Sequence, residues 1–280
     1  MYEPVEVVSN EAVAADVYRL RLRAPQTAPL VRGGQFVHLR LNRHAAHTPL
    51  LRRPLSVCQV YGDELLIMYA VVGTGTEVLA GKAVGDTSMD IIGPLGSCWP
   101  IEEDVRTPLI VGGGLGIAPL GMLAHAFRDR GINVKIIQAA QTAERLIVRE
   151  AHERVKRDIV FATDDGTCGY HGIVTDLVRE ALAERAEGAE RTGDTAEAAT
   201  MFDVAYVCGP EPMQKAVSEV LLQAGVRTYV SFERRMACGV GACLGCTVPT
   251  IDGLKRACAD GPVFAAEEVC FDDAIASRVH

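Results

Sequence analysis

Four thiols near the C-terminus constrain this chain more than any other feature. Cys238, Cys243, Cys246 and Cys258 are spaced C-x4-C-x2-C-x11-C. The opening C-x4-C-x2-C is the plant-type [2Fe–2S] ligand spacing, with the fourth thiolate supplied from further along the chain. Each iron needs two thiolates, so a short loop has to wrap its backbone around a compact inorganic core. Gly239, Gly241 and Gly245 suit that wrapping, because glycine reaches positive φ and permits close backbone approach. Zinc is the competing occupant, but structural zinc sites favour two C-x2–4-C knuckles, whereas here three cysteines crowd together and the fourth stands alone. Disulfides are the other alternative and need an oxidising compartment.

The composition narrows the rest. The 280 residues suffice for about two domains of ordinary size. A net charge of −8 argues against a general nucleic-acid binder, which presents a basic face. The N-terminal stretch carries acids and no continuous apolar core, so it does not read as a signal peptide. No apolar run reaches the ~18 residues of a membrane-spanning helix. Nine cysteines without an export signal fit a reducing cytoplasm, where thiols serve as metal ligands.

The pattern divides the chain in three. Residues 1–100 read as short strands separated by turns, and in Val17–Arg23 the apolar Leu20 and Leu22 alternate with arginines. Many short strands at such spacing predict a small antiparallel barrel. Residues 101–230 alternate apolar strands with helical stretches, which predicts a parallel α/β sheet. Helices are expected over 144–157, 172–186 and 211–225, and the polar stretch 187–200 reads as a solvated or mobile insertion. Residues 231–280 form the cysteine segment.

Two glycine-bearing patterns sit where ligands belong. Arg52-Arg53-Pro54-Leu55-Ser56 lies in the barrel region, with Gly73-Thr74-Gly75-Thr76 some way on. An arginine pairs bidentately with a pyrophosphate, and a serine hydroxyl hydrogen-bonds phosphate or a flavin ring. Val111-Gly112-Gly113-Gly114-Leu115-Gly116 follows the first α/β strand. It is a glycine loop opening onto a helix, suited to a dinucleotide pyrophosphate, although Gln138 and Gln141 stand where a ribose-binding acid would be expected. Cys208-Gly209-Pro210 follows a later strand, at the carboxyl edge where open sheets place ligands. Alone, each pattern is also what a tight turn or an inert buried cysteine looks like. Cys58, Cys98, Cys168 and Cys270 match no motif, Cys270 being a rival fourth ligand. His38, His44 and His47 lack metal spacing and read as barrel-surface or flavin-proximal residues.

Taken in order, R-P-L-S, G-T-G-T, G-P-L-G (Gly93–Gly96), G-G-G-x-G and C-G-P-x-x-M resemble the ferredoxin–NADP reductase superfamily. The added cysteine segment is similar to that of the electron-transfer subunits of class 1B dihydroorotate dehydrogenases. The resemblance implies an FAD-binding barrel, an NAD-binding α/β domain and a small [2Fe–2S] domain. It implies that Arg53, Pro54, Leu55, Ser56, Met68, Tyr69, Ala70, Gly75 and Thr76 hold FAD. It puts Gly112, Gly113, Gly114, Gly116, Cys208, Gly209 and Pro210 on the nicotinamide side, with Cys238, Cys243, Cys246 and Cys258 as cluster ligands. It further implies an FMN-containing catalytic partner, two copies of each subunit, and a role in pyrimidine synthesis. The cofactors fit together chemically: nicotinamide exchanges two electrons, a cluster one, and a flavin either. A related flavin and iron–sulfur reductase subunit serving sulfide, ferredoxin or hydrogenase chemistry is the neighbouring reading, and a zinc-stabilised regulatory module the more distant one.

Overall fold

A computed structural model describes residues 1–43, 49–147, 159–192 and 202–271, with 186–192 as backbone only. Six antiparallel strands close into a barrel in the order β1-β2-β5-β4-β3-β6. They are β1 (Tyr2–Ala14), β2 (Val17–Arg23), β3 (Phe36–Arg40), β4 (Arg53–Tyr61), β5 (Glu64–Ala70) and β6 (Met89–Leu95). The alternation read in β2 is realised: Leu20 and Leu22 are fully buried in the barrel core. Arg19, Arg21 and Arg23 turn outward to pair with Glu11, Glu64 and Glu6.

The closing strand β6 was not legible in the sequence. It carries a buried carboxylate, Asp90, which Arg52 neutralises at 2.5 Å. Arg52 also donates to the carbonyls of His38 (3.1 Å) and Asp90 (3.3 Å). A carboxylate at this depth is tolerable only when so paired, so Arg52 locks the barrel seam, and both it and Arg53 border the cleft.

The second domain is a sheet of order β10-β9-β8-β7-β11-β12-β15. Its parallel strands are β7 (Pro108–Gly113), β8 (Lys135–Ala140), β9 (Ile159–Thr163), β10 (Tyr170–His171), β11 (Val204–Cys208) and β12 (Arg227–Ser231). Both faces are covered, as a parallel sheet requires. Leu109, Val111 and Val207 pack on helices α3 (Val174–Thr192) and α4 (Glu211–Gln223). Ile110, Ile136 and Tyr206 pack on α2 (Gly121–Asp129) and the 3₁₀ turn Gly114–Leu120 before it. Helix α3 continues through residues 187–192, so the start of the polar stretch is helical rather than loose; 193–200 lie outside the described residues. Of the helix expected over 144–157, the described part holds only the 3₁₀ turn Ala143–Arg145, and the rest lies outside.

The cysteine segment is not a free-standing unit. It contributes a two-stranded hairpin, β13 (Thr247–Thr250) and β14 (Gly253–Arg256). It then adds β15 (Val263–Ala265) antiparallel to β12, extending the sheet of the second domain. Cys246, Val248, Cys258 and Phe264 belong to the same buried cluster as Leu109 and Val230.

Candidate cofactor cleft and iron–sulfur loop

A cleft of about 910 Å³ opens between the barrel and the sheet domain. Arg53, Pro54, Leu55 and Ser56 of β4, Met68, Tyr69 and Ala70 of β5, and Gly75 and Thr76 of the short helix α1 (Thr74–Ala80) all line it. The nine barrel residues singled out in the sequence are therefore brought to one wall. They do not contribute alike. The Leu55 and Tyr69 side chains belong to the barrel core, and the Tyr69 hydroxyl donates to Asn10 Oδ1 at 2.9 Å. The Arg53 guanidinium lies flat against Gly75, where a Cβ would come within 2.0 Å of Nε. Thr76 Oγ1 accepts from the Val72 amide (2.9 Å) and donates to the Gly73 carbonyl (2.9 Å). The hydroxyl thus shapes the loop, and the loop's shape is what it offers a ligand.

The glycines of the second domain interlock with the Cys208 turn at the carboxyl ends of β7 and β11. A Cβ on Gly116 would sit 2.5 Å from the Cys208 carbonyl oxygen, and one on Gly113 2.3 Å from Met213 Sδ. Gly209 adopts φ 156° and would bring a Cβ within 3.0 Å of Gly113 Cα. Gly112, Gly113, Gly114 and Gly116, with Cys208, Gly209 and Pro210, form this second surface. The large cleft is met instead by the neighbouring Leu115, Ala118 and Pro119. The loop also enters a 3₁₀ turn before α2, where a direct helix start was expected. Gln138 is fully buried with both amide atoms unpartnered among the described residues, so it does not present itself to a ribose. Burial pushes the Cys208 thiol well above the ordinary range.

The far wall of the cleft escaped the sequence reading. Ser231 to Met236, directly before the first cluster cysteine, line it together with Pro262. Glu233 is exposed into the cavity, and desolvation by the surrounding protein raises its carboxyl pKa. Arg234 stacks over Phe232 at 4.9 Å, pairs with Glu211 at the start of α4, and donates to the Thr247 carbonyl at 3.2 Å. One side chain therefore ties the Cys208 turn to the strand that follows Cys246.

As the segment folds back, Cys238 comes beside Cys243, and Cys258 beside Cys246. Cys246 and Cys258 are buried, Cys238 is half-buried and Cys243 exposed. Peptide N–H groups point at sulfur: Val240 donates to Cys238 Sγ at 3.5 Å and Gly241 to Cys258 Sγ at 3.1 Å. Amide donors of this kind favour the thiolate. The Val240 amide and its neighbours lower the Cys238 thiol to about 6. Burial, with Cys246 and Cys238 close by, raises Cys258 to about 12. Gly239 and Gly241 hold φ of 71° and 83°, the left-handed region this wrapping needs. Among the described residues no three His, Cys, Asp or Glu side chains converge on a single ion. The C-x4-C-x2-C spacing with amides aimed at sulfur fits a dinuclear cluster. Cys270 lies apart from this loop in the chain, its amide donating to the Pro249 carbonyl at 3.0 Å.

His38 is fully buried, so the surface position considered for it is excluded. Burial and the adjacent Arg52 guanidinium lower its pKa to about 4. His44 and His47 lie outside the described residues.

A barrel and a parallel sheet enclosing a dinucleotide-sized cleft, with a four-thiol loop beside it, define a flavin–nicotinamide reductase that carries its own iron–sulfur centre. Comparison with known proteins agrees. Residues 233–270 match the iron-sulfur cluster binding domain of dihydroorotate dehydrogenase B, and residues 110–219 the oxidoreductase NAD-binding domain. The chain is 39% identical over 271 residues to the dihydroorotate dehydrogenase B (NAD(+)) electron transfer subunit of Bacillus velezensis, covering 94% of this chain and 96% of that one. It is 39% identical over 274 residues to the same subunit of Geobacillus thermodenitrificans, covering 95% and 98%. Among solved structures, one from the NADH-dependent reduced ferredoxin–NADP oxidoreductase of flavin-based electron bifurcation superposes with TM-score 0.81 at 31% identity, covering 98% and 92%. The ferredoxin reductase of carbazole 1,9a-dioxygenase, at 22% identity and TM-score 0.64, shares the fold. The chain belongs to the family of dihydroorotate dehydrogenase B (NAD(+)) electron transfer subunits. It is an NAD-linked oxidoreductase subunit whose cofactors are FAD, NAD and a [2Fe–2S] cluster. No helix among the described residues is long and apolar enough to cross a membrane.

Proposed function

We propose that this subunit carries electrons from a separate dihydroorotate-oxidising, FMN-containing catalytic subunit to NAD+, in the cytoplasm and within pyrimidine synthesis. The assembly holds two copies of each chain. Bound flavin supplies the exchange between two-electron nicotinamide chemistry and one-electron transfer to the cluster. Arg53 meets the flavin pyrophosphate, Pro54 to Ser56 and Met68 to Ala70 flank the ring system, and Gly75 with Thr76 gives the backbone close approach. Gly112, Gly113, Gly114 and Gly116 with Cys208, Gly209 and Pro210 receive the nicotinamide dinucleotide. Cys238, Cys243, Cys246 and Cys258 ligate the cluster.

One observation carries this reading. The segment that leads into Cys238 is itself the far wall of the cleft, so flavin and cluster are neighbours along a continuous stretch of backbone. Cys243, Val240 and Leu244 are exposed on the loop, which leaves the cluster edge open to a partner. Cys243→Ser should abolish NAD+ reduction by dihydroorotate in the reconstituted complex while FAD content stays unchanged. Normal NAD+ reduction by that variant would sink the assigned path. The likeness to the bifurcating oxidoreductase supports a second reading, a reductase subunit serving ferredoxin. Co-purification with an orotate-producing flavoprotein favours the first, and reduction of ferredoxin without orotate formation the second.

A further inference from the structure

The barrel contributes a side chain to the iron–sulfur site that no motif marks. Along β3, Val37 and Leu39 point into the barrel core, and Phe36 and His38 therefore point outward. Phe36 lines the cofactor cleft, as does Pro54, the partner of His38 across β4. Outward does not mean exposed here, because the imidazole is fully buried with the cluster loop against it. A Cβ on Gly239 would lie 2.5 Å from His38 Nδ1 and 3.0 Å from Cγ and Cε1. The loop backbone thus lies flat on the ring, one residue after Cys238.

Among the described residues neither ring nitrogen completes a hydrogen bond. The Cys238 and Arg52 backbone groups lie near enough to polarise the ring without satisfying it. A polar group buried without a partner is costly and therefore uncommon. This one is pinned from below, since Arg52 holds the His38 carbonyl at 3.1 Å and Asp90 at 2.5 Å. Such a ring is pre-oriented for an acceptor that arrives only when the loop is loaded.

We propose that His38 is the barrel's contribution to the iron–sulfur site: its ring N–H donates a hydrogen bond to the Cys238 end of the loaded cluster loop and so sets the cluster potential relative to the flavin. Donors to cluster sulfur stabilise the reduced, more negative state. His38 acts as a positioning residue in this role. The inference rests on the reading of the four cysteines as ligands.

The test uses the complete protein with FAD and cluster bound. Ring-15N histidine is incorporated, the cluster is reduced, and pulsed EPR records weak nitrogen couplings. Wild type should show a labelled histidine nitrogen, and His38→Asn should lose it. The cluster potential of His38→Leu should fall by more than a tenfold change in the one-electron equilibrium, about 59 mV. His38→Asn, which keeps a donor, should recover most of that shift. Wild-type protein whose reduced cluster shows no labelled histidine nitrogen would overturn the proposal, even if His38→Leu fails to hold its cluster. A Leu variant with unchanged potential would overturn it as well. A preparation that binds flavin but no iron and sulfide would instead sink the ligand assignment itself.

Discussion

The barrel and the cysteine segment solve the same problem, holding a redox group rigidly, with opposite resources. The barrel is closed, so it has no free edge, and it owns a core built from residues such as Val7, Leu20, Leu65 and Ile91. The cysteine segment has a hairpin of two four-residue strands and, among the described residues, no core cluster of its own. It borrows burial from the sheet domain through Phe264, Val248 and Cys246, and borrows an edge through β15. Small domains bury too little apolar surface to stand alone, and here the deficit is met by grafting onto a neighbour. The lesson is that the cluster site depends on the nucleotide domain for its shape, while the flavin wall of the barrel does not.

This contrast can be broken by mutation. Phe264, nearly fully buried and edge-on to Phe232 at 6.2 Å, joins the segment to the sheet. Phe264→Ala should cost about 3–5 kcal/mol, lowering both the melting transition and the iron and sulfide content. Its counterpart Leu20→Ala, costing about 2–5 kcal/mol, should reduce FAD content while leaving the cluster's visible absorbance. If Phe264→Ala spared the cluster, the segment would be more independent than its packing implies. A smaller effect is expected at the interlocked glycines. Gly116→Ala drives a methyl into the Cys208 carbonyl, which is backbone and cannot rotate away. It should cost about 1–3 kcal/mol and weaken NADH binding in titrations before it disturbs flavin.

The smallest effect sharpens the comparison within the sheet domain. Asp203, just before β11, accepts from the amide of Thr107 at 2.8 Å and from its hydroxyl. Burial opposes ionisation, but the Thr107 hydroxyl and the Arg106 and Thr107 amides outweigh it and lower the carboxyl pKa below its ordinary 3.8. A depressed carboxylate contributes stability above its unfolded value and loses it as pH falls through the folded one. Asp203→Asn should therefore cost about 1 kcal/mol at neutral pH. Urea melts should show that deficit shrinking as pH falls below about 4, the ordinary carboxylate value. A deficit that persisted in acid would mean the side-chain geometry, rather than the charge, supports the strand.

The parts legible in the sequence were those whose chemistry is local. The cysteine spacing, the alternation in β2 and the strand–glycine–helix rhythm each declare themselves within a few residues. The rest depends on partners far along the chain. Strand β6 carries Asp90 and a Gly93-Pro94 step, and reads as loop until Arg52 is placed beside it. Arg52 and Arg53 look equivalent in sequence and both line the cleft, yet one neutralises Asp90 and the other packs on Gly75. Ser231–Met236 looks like a charged, solvated stretch, because nothing local reveals that β15 turns it inward. His38 was visible only as one histidine among three. The sole sequence signal for its burial was its place in an apolar alternating strand, and a histidine on the outward parity is ordinarily wet.

The antiparallel pairing of β15 with β12 also orders events in time. A chain emerging from the ribosome offers its barrel first and its central sheet next, and domains fold as they emerge. Ser231–Met236 and Pro262 come after the barrel and the central sheet, so the nascent cleft stands open on one side until the stretch that carries them emerges and docks. Flavin retention is then coupled to closure by a segment made well after the barrel. A message truncated before Ser231 would yield a polypeptide with a finished barrel and no far wall to keep its cofactor.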